Sequence, residues 1–292
     1  MEGNHLTDEA VEAPTLPRPV SAPDASRQQA FTSAYAMATA IAGQQAALLS
    51  HGPPEGTGTN ASITLHQERG WPCYRLVPAG APPQARALYF HGGAFVFQIT
   101  EPHWSTVANH SHATQSTMVV PIYPLAPLET AVTILETATA LAADLLAQDD
   151  RPLTIIGESS GGGLALAVCQ ALAEQGGRPT AAALLLIEPW LDLTLTNADV
   201  IAAARADPDL DVPGLAVAAR LYAGELPTSD PRVSPLLGEL TNLPPITVIT
   251  STTHALWADA DALRRRAHHV GVHVDLRPAG PANACLRHPV RP

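Results

Sequence analysis

"LTIIGESSGGG", residues 153–163, is the stretch whose reading decides the fold. Its short apolar run, Leu153 to Ile156, suits a strand covered on both faces. The run enters a G-x-S-x-G pattern, Gly157-Glu158-Ser159-Ser160-Gly161, and then "GGGLALAVCQALAEQG", which has helical spacing. Strand, sharp turn and helix form the setting of a nucleophile elbow, with Ser159 at its tip. Small residues at Gly157 and Gly161 allow close backbone approach, and the helix N-terminus directs N–H groups at developing negative charge. A glycine-rich strand–helix turn that carries serines by chance is the alternative; the flanking elements and Gly162 favour the elbow. A serine hydroxyl is a weak nucleophile without a base, so the rest of the chain has to supply partners.

Working outward, eight strand-like segments follow one another: "SITLHQE", "CYRLV", "ALYFH", "TMVVPI", "LTIIG", "AALLLI", "ITVIT" and "VHVDLR". Helical patterns separate most of them, which predicts an α/β fold with a mostly parallel sheet. Residues 24–52 read as a helix after a Pro-rich start. A long insertion, 194–242, breaks the rhythm and carries "GLAVAARLYAGE", a helix started by Pro213. The expected organisation is an N-terminal segment and cap helix (1–52), a core (53–193 and 243–292) and a cap insertion (194–242). The second glycine motif is "YFHGGAF", residues 89–95, where a strand ends in His91-Gly92-Gly93-Ala94. Glycines there let backbone N–H groups turn toward a substrate oxygen. With the N–H of Ser160 they predict an oxyanion hole made by Gly92, Gly93 and Ser160.

Composition narrows the function. The formal net charge is -11 and the one dense basic run, Arg264-Arg265-Arg266, sits in a helical pattern as a solvated face, so no nucleic-acid partner is expected. The acidic start "MEGNHLTDEAVEAP" lacks the apolar core of a secretion signal. No apolar run reaches the ~20 residues of a bilayer span. Cys73, Cys169 and Cys285 have no metal-type spacing and suggest a reduced, cytoplasmic setting. His110, His112 and the pair His268-His269 read as surface residues rather than zinc ligands. No metal or cofactor is expected.

Together, His91-Gly92-Gly93-Ala94, "YPLAP" (123–127), "GESSGG" (157–162), "EPWLDLT" (188–194) and "DPRVSPLLGELTNLPPITV" (230–248) resemble the hormone-sensitive lipase group of α/β-hydrolases. The resemblance implies an eight-stranded sheet, a helical cap, and hydrolysis of a small to medium acyl ester through an acyl-serine on Ser159. It admits a monomer or homodimer, with a small-molecule ester or apolar ligand as partner.

Two positions depart from the group. The acid aligns with Ala255 and the base with Asn283. Alanine has no charge to orient an imidazole, and an amide is not a base. His288, in the same terminal segment, is the candidate replacement base, the alternative being a surface histidine. Asp259, one helical turn after Ala255, is the candidate acid, the alternative being a first-turn aspartate favoured by the helix dipole. His254 reads as a local hydrogen-bonding residue rather than a base. Glu158 reads as structural support or as an orienting group, Tyr123 as packing and loop geometry, and Trp104 and Trp190 as pocket or core. A scaffold that has lost hydrolysis also fits: it would use the oxyanion pocket for elimination, cyclisation or condensation, or would hold a ligand without catalysis.

Overall fold

The structure, a computed structural model, describes residues 29–46, 51–57, 61–80, 82–176, 181–206 and 212–278. Eight strands form one sheet: β1 (Ala61–Glu68), β2 (Trp71–Pro78), β3 (Ala85–Phe90), β4 (Ser116–Pro121), β5 (Leu153–Glu158), β6 (Ala183–Ile187), β7 (Ile246–Thr250) and β8 (Val274–Pro278). Their order is β1-β2-β4-β3-β5-β6-β7-β8. β2 runs antiparallel to β1 and β4, and the neighbours from β4 through β8 are parallel. Each strand read from the sequence has its counterpart here.

The helices are α1 (Ala34–Ala46), α2 (Glu101–Thr114), α3 (Ala131–Gln148), α4 (Ser160–Gly176), α5 (Ala198–Ala206), α6 (Val212–Ala223) and α7 (Trp257–His269). The helix expected over 24–52 is shorter among the described residues. A turn, closed by the Thr32 N–H to Gln29 O bond, precedes α1, and Ser33 Oγ accepts the Ala36 N–H at its start. Serine there offers the unpaired N–H groups of a helix start an acceptor, which favours beginning the helix anew.

Period-two alternation in the central strands sorts their side chains onto two faces. Ile155, Leu184, Leu186 and Val248 join Leu141, Leu164 and Leu263 in one buried cluster, under α3, α4 and α7. Ile156 and Ile187 join Tyr89, Trp104 and Val107 in the other, under α2. Burying each such large apolar side chain contributes ~1.5–3 kcal/mol. Trp104 packs edge-on against Tyr74 with ring centres 5.2 Å apart, which makes it core. Among the described residues α3 alone is long and apolar enough to cross a membrane. Eight of its residues, Ile134, Leu141 and Leu145 among them, are buried on the sheet, the pattern of a core helix. Arg264, Arg265 and Arg266 are exposed on α7, as a solvated face requires.

Helices α1 and α6 pack on each other. Gly214 of α6 lies so close to Phe31 that a Cβ would stand 2.5 Å from the Phe31 Cα. Phe31 in turn meets Phe97 edge-on at 6.1 Å, so the N-terminal segment touches the loop after β3. That loop, the β5–α4 turn and the segments after β6 and β7 all leave the carboxyl ends of parallel strands. In open α/β sheets ligands bind at that edge.

Candidate active site

The turn between β5 and α4 has the elbow's geometry. Ser159 has φ 52°, in the left-handed region where a side chain with a Cβ is strained. The strain is held by backbone bonds on both sides: Ser159 N–H donates to Ile187 O at 2.9 Å, and Ser159 O accepts from Gly162 N–H and Trp190 N–H, each at 2.9 Å. Gly161 allows α4 to meet the end of β3. A Cβ there would stand 2.2 Å from Phe90 O. Ser159 itself is half-buried.

The loop after β3 wraps against this turn. Gly93 has φ 122°, and a Cβ on it would stand 2.3 Å from Phe97 O. Gly93 O accepts the N–H groups of Val96 and Phe97 at 3.0 and 2.8 Å, closing a tight turn. Ala94 and Phe95 continue in the left-handed region at φ 53° and 64°. Three side chains, Tyr123, Ser160 and Tyr222, fix the loop. Tyr123 O–H donates to His91 O at 2.6 Å, and its ring stacks on His91 at 4.3 Å. Ser160 Oγ accepts the Phe95 N–H at 3.3 Å. Phe95 stacks on Tyr222 of α6, ring centres 3.5 Å apart. Gly92 faces the serine directly: a Cβ on Gly92 would lie 3.3 Å from both Ser159 Cβ and His103 Nε2. The structure thus gathers Gly92, Gly93, Ser159 and Ser160 at one place. Tyr123 has the loop-holding place expected of it. Trp190 is buried, with its ring N–H donated to Asp192 O at 3.1 Å.

Glu158 sits in a buried network on the other side of the turn. Tyr89 O–H donates to its Oε2 at 2.7 Å, and His103 Nε2 lies 3.8 Å from its Oε1. Thr100 N–H donates to His103 Nδ1 at 3.0 Å, which leaves the ring proton on Nε2, toward the carboxylate. Burial, and then the Glu158 charge, raise the Tyr89 hydroxyl well above its ordinary value. Tyr89→Phe is expected to lower stability by ~1.5–3 kcal/mol, the range for a hydrogen bond to a charged group. An unchanged midpoint of urea unfolding would show that the hydroxyl contributes nothing net.

The candidate acid, Asp259, stands at the start of α7 and is 1% exposed. Its Oδ2 accepts the N–H groups of Leu191 and Asp192 at 3.4 and 3.2 Å, fastening the segment after β6 to α7. Burial, with a contribution from Asp192, raises its pKa from 3.8 to about 7 against the pull of those two N–H groups. The folded state therefore keeps a proton that the unfolded chain loses between pH ~4 and ~7. Stability falls as pH rises through that window, by up to ~4 kcal/mol. Asp259→Asn is expected to flatten the curve of unfolding free energy against pH from 4 to 8. Parallel curves for the two proteins would disprove the assignment.

The replacement base, His288, and the aligned base position, Asn283, lie outside the described residues, as does Cys285. Cys73 and Cys169 are buried and free, both pushed by burial to about 12. Among the described residues no group of three or more His, Cys, Asp or Glu could hold a metal. At the aligned acid position Ala255 is buried. Its neighbour His254 makes the expected local bond, Leu256 N–H to Nδ1 at 3.3 Å. It also makes a contact the sequence reading missed: Nε2 lies 3.5 Å from Glu188 Oε2. The available signal was Glu188's place directly after the strand that follows the elbow.

A family model described as alpha/beta hydrolase fold matches residues 87–280. A triacylglycerol lipase of Mycobacterium tuberculosis is 31% identical over 200 residues, covering 68% of this chain and 41% of that protein. An esterase of Acinetobacter venetianus is 30% identical over 204 residues, covering 69% of this chain and 67% of its own. The solved structure of a hormone-sensitive lipase from a metagenome library superposes with a TM-score of 0.69 at 29% identity, over 82% of this chain and 80% of that one. The chain thus spans less than half of the lipase and two thirds of the esterase it matches. The parallel sheet, the elbow and these likenesses together make the chain a member of the α/β-hydrolase family, in its hormone-sensitive lipase-like group.

Proposed function

We propose that the protein is a carboxylesterase-type hydrolase of small to medium acyl esters, acting through an acyl-serine on Ser159. The observation that carries this reading is the strained Ser159 at the strand–helix turn with Gly92 packed against it, a Cβ's contact distance of 3.3 Å away. Ser159 Oγ attacks the ester carbonyl. The N–H groups of Gly92, Gly93 and Ser160 receive the charge that develops on its oxygen. Donors held rigidly in this way stabilise a transition state without reorganising, and each is worth ~10²–10³ in rate. Three successive left-handed residues, 93–95, are a cost the fold carries at the same place. The helices α1 and α6 form the cap, and Tyr222 closes it onto Phe95. Relatives named esterase and lipase support the reaction class. From sequence alone the candidate base and acid are His288 and Asp259, and Asp259 also holds residues 191 and 192.

Incubation with a fluorophosphonate followed by peptide mass spectrometry tests the reading. Labelling confined to Ser159, together with burst release from p-nitrophenyl acetate, is the expected result. An unlabelled, folded protein would overturn it and leave the oxyanion pocket to a non-hydrolytic reaction or to ligand binding.

A further inference from the structure

Two side chains past the ends of β6 and β7 meet at a place neither glycine motif accounts for. Glu188 is the first residue after β6, and its N–H donates to Ile249 O at 2.8 Å. Its φ of 44° is left-handed, a conformation that costs ~1–2 kcal/mol for a residue with a Cβ. Its chain neighbours hold the nucleophile: Ile187 O accepts the Ser159 N–H, and Trp190 N–H donates to Ser159 O. Glu188 therefore sits on the segment that brackets Ser159, one strand away from it. His254 is fixed on both sides, its N–H on Ser251 O and its O on Trp257 N–H, each at 3.0 Å. The carboxylate and imidazole side chains are only 16% and 11% exposed. Because Nδ1 accepts the Leu256 N–H, the ring proton is on Nε2 and faces Glu188. A carboxylate that fixes the tautomer of an imidazole is the supporting half of a serine triad. The order Ser159, Glu188, His254 is also the chain order of nucleophile, acid and base in α/β-hydrolases.

We propose that His254 is the base for Ser159 and that Glu188 is its positioning residue, a relay moved to the ends of β6 and β7. The proposal rests on the ester-hydrolase reading. Ser159 Oγ bonds to the ester carbonyl carbon as its proton passes to His254. The bond from that carbon to the alkoxy oxygen then breaks, and the alcohol leaves with the proton from His254. Water attacks the acyl carbon and gives a proton to His254, which returns it to Ser159 Oγ as the acyl–serine bond breaks and the carboxylic acid departs. Glu188, which faces the Nε2 proton at 3.5 Å, stabilises the imidazolium. The lone pair that receives the serine proton is on Nδ1, so the ring gives up the 3.3 Å Leu256 contact as it turns to Ser159.

The test uses the full chain with p-nitrophenyl acetate and compares His254→Ala, His254→Gln, Glu188→Gln and His288→Ala, each checked for a cooperative thermal transition. His254→Ala is expected to lower kcat ~10³-fold or more with KM within about twofold. Imidazole in the buffer should restore part of that activity, but none in Ser159→Ala. Glu188→Gln, nearly isosteric, should lower kcat ~10²-fold at unchanged KM. If His254→Ala does not fold, the loss is read from His254→Gln and Glu188→Gln. A folded His254 variant with wild-type kcat overturns the proposal and leaves the hydrolase reading standing, as does loss confined to His288→Ala. A wild-type protein with neither turnover nor labelling overturns both.

Discussion

Ser159→Ala is expected to lower kcat for p-nitrophenyl acetate by ~10³-fold or more, because removing the nucleophile leaves only the contribution of oxyanion donors and binding. KM should stay within a few-fold, since the hydroxyl forms a bond only as the reaction proceeds. The fold should not suffer. Ser159 is held by backbone bonds to Ile187, Gly162 and Trp190, which alanine keeps. Ser159→Gly sharpens the argument. Glycine adopts φ 52° without the strain of a Cβ, so this variant should be equally inactive yet more stable by ~1 kcal/mol. Stability gained by removing an active-site side chain is the sign of strain kept for function. Turnover in either variant at the wild-type rate would remove Ser159 from the mechanism. A Ser159→Gly protein less stable than wild type would remove the strain argument.

Gly93→Ala has the second large effect. At φ 122° a side chain is strained whatever the space, and here the added methyl would also stand 2.3 Å from Phe97 O. The turn closed by the Val96 and Phe97 N–H groups has to open, which moves the N–H groups of residues 92 and 93. A displacement of ~1 Å in a catalytic group costs ~10²-fold in rate. Loss of kcat by ~10²–10³-fold is therefore expected, with a stability loss of ~1–3 kcal/mol from overpacking. Labelling of Ser159 by a fluorophosphonate should slow in proportion, because the phosphoryl oxygen needs the same donors. Wild-type kcat in Gly93→Ala would show that this loop does not serve the reaction.

The eight strands were legible because each is a short apolar or alternating run, and periodicity is a property of neighbours in sequence. The elbow was legible for the same reason: strand, G-x-S-x-G and helix are contiguous, and Ser159 does take the left-handed backbone the motif implies. Gly92 and Gly93 were legible as a close-approach loop and Tyr123 as a loop-geometry residue, but that Tyr123 and Ser160 hold this particular loop needed the fold. The partners of the serine were hardest to read. Alignment drew attention to Ala255 and Asn283, and so to substitutes further along the chain. Asp259 read as the candidate acid or, alternatively, as a first-turn residue favoured by the helix dipole. In the structure it is buried, with a pKa near neutrality, because residues 191 and 192 fold over it from β6.

Glu188 and His254 mark the boundary most plainly. Each lies in a segment with no periodicity, 66 positions apart in the chain. Only the adjacency of β6 and β7 brings them to 3.5 Å. The sequence by itself determined the sheet, the turn that carries Ser159 and the glycine loop, since these depend on local backbone geometry and the burial of contiguous runs. The tertiary structure alone decided which titratable side chains share a site and which are buried, because charge coupling and desolvation act through distance in space and not along the chain.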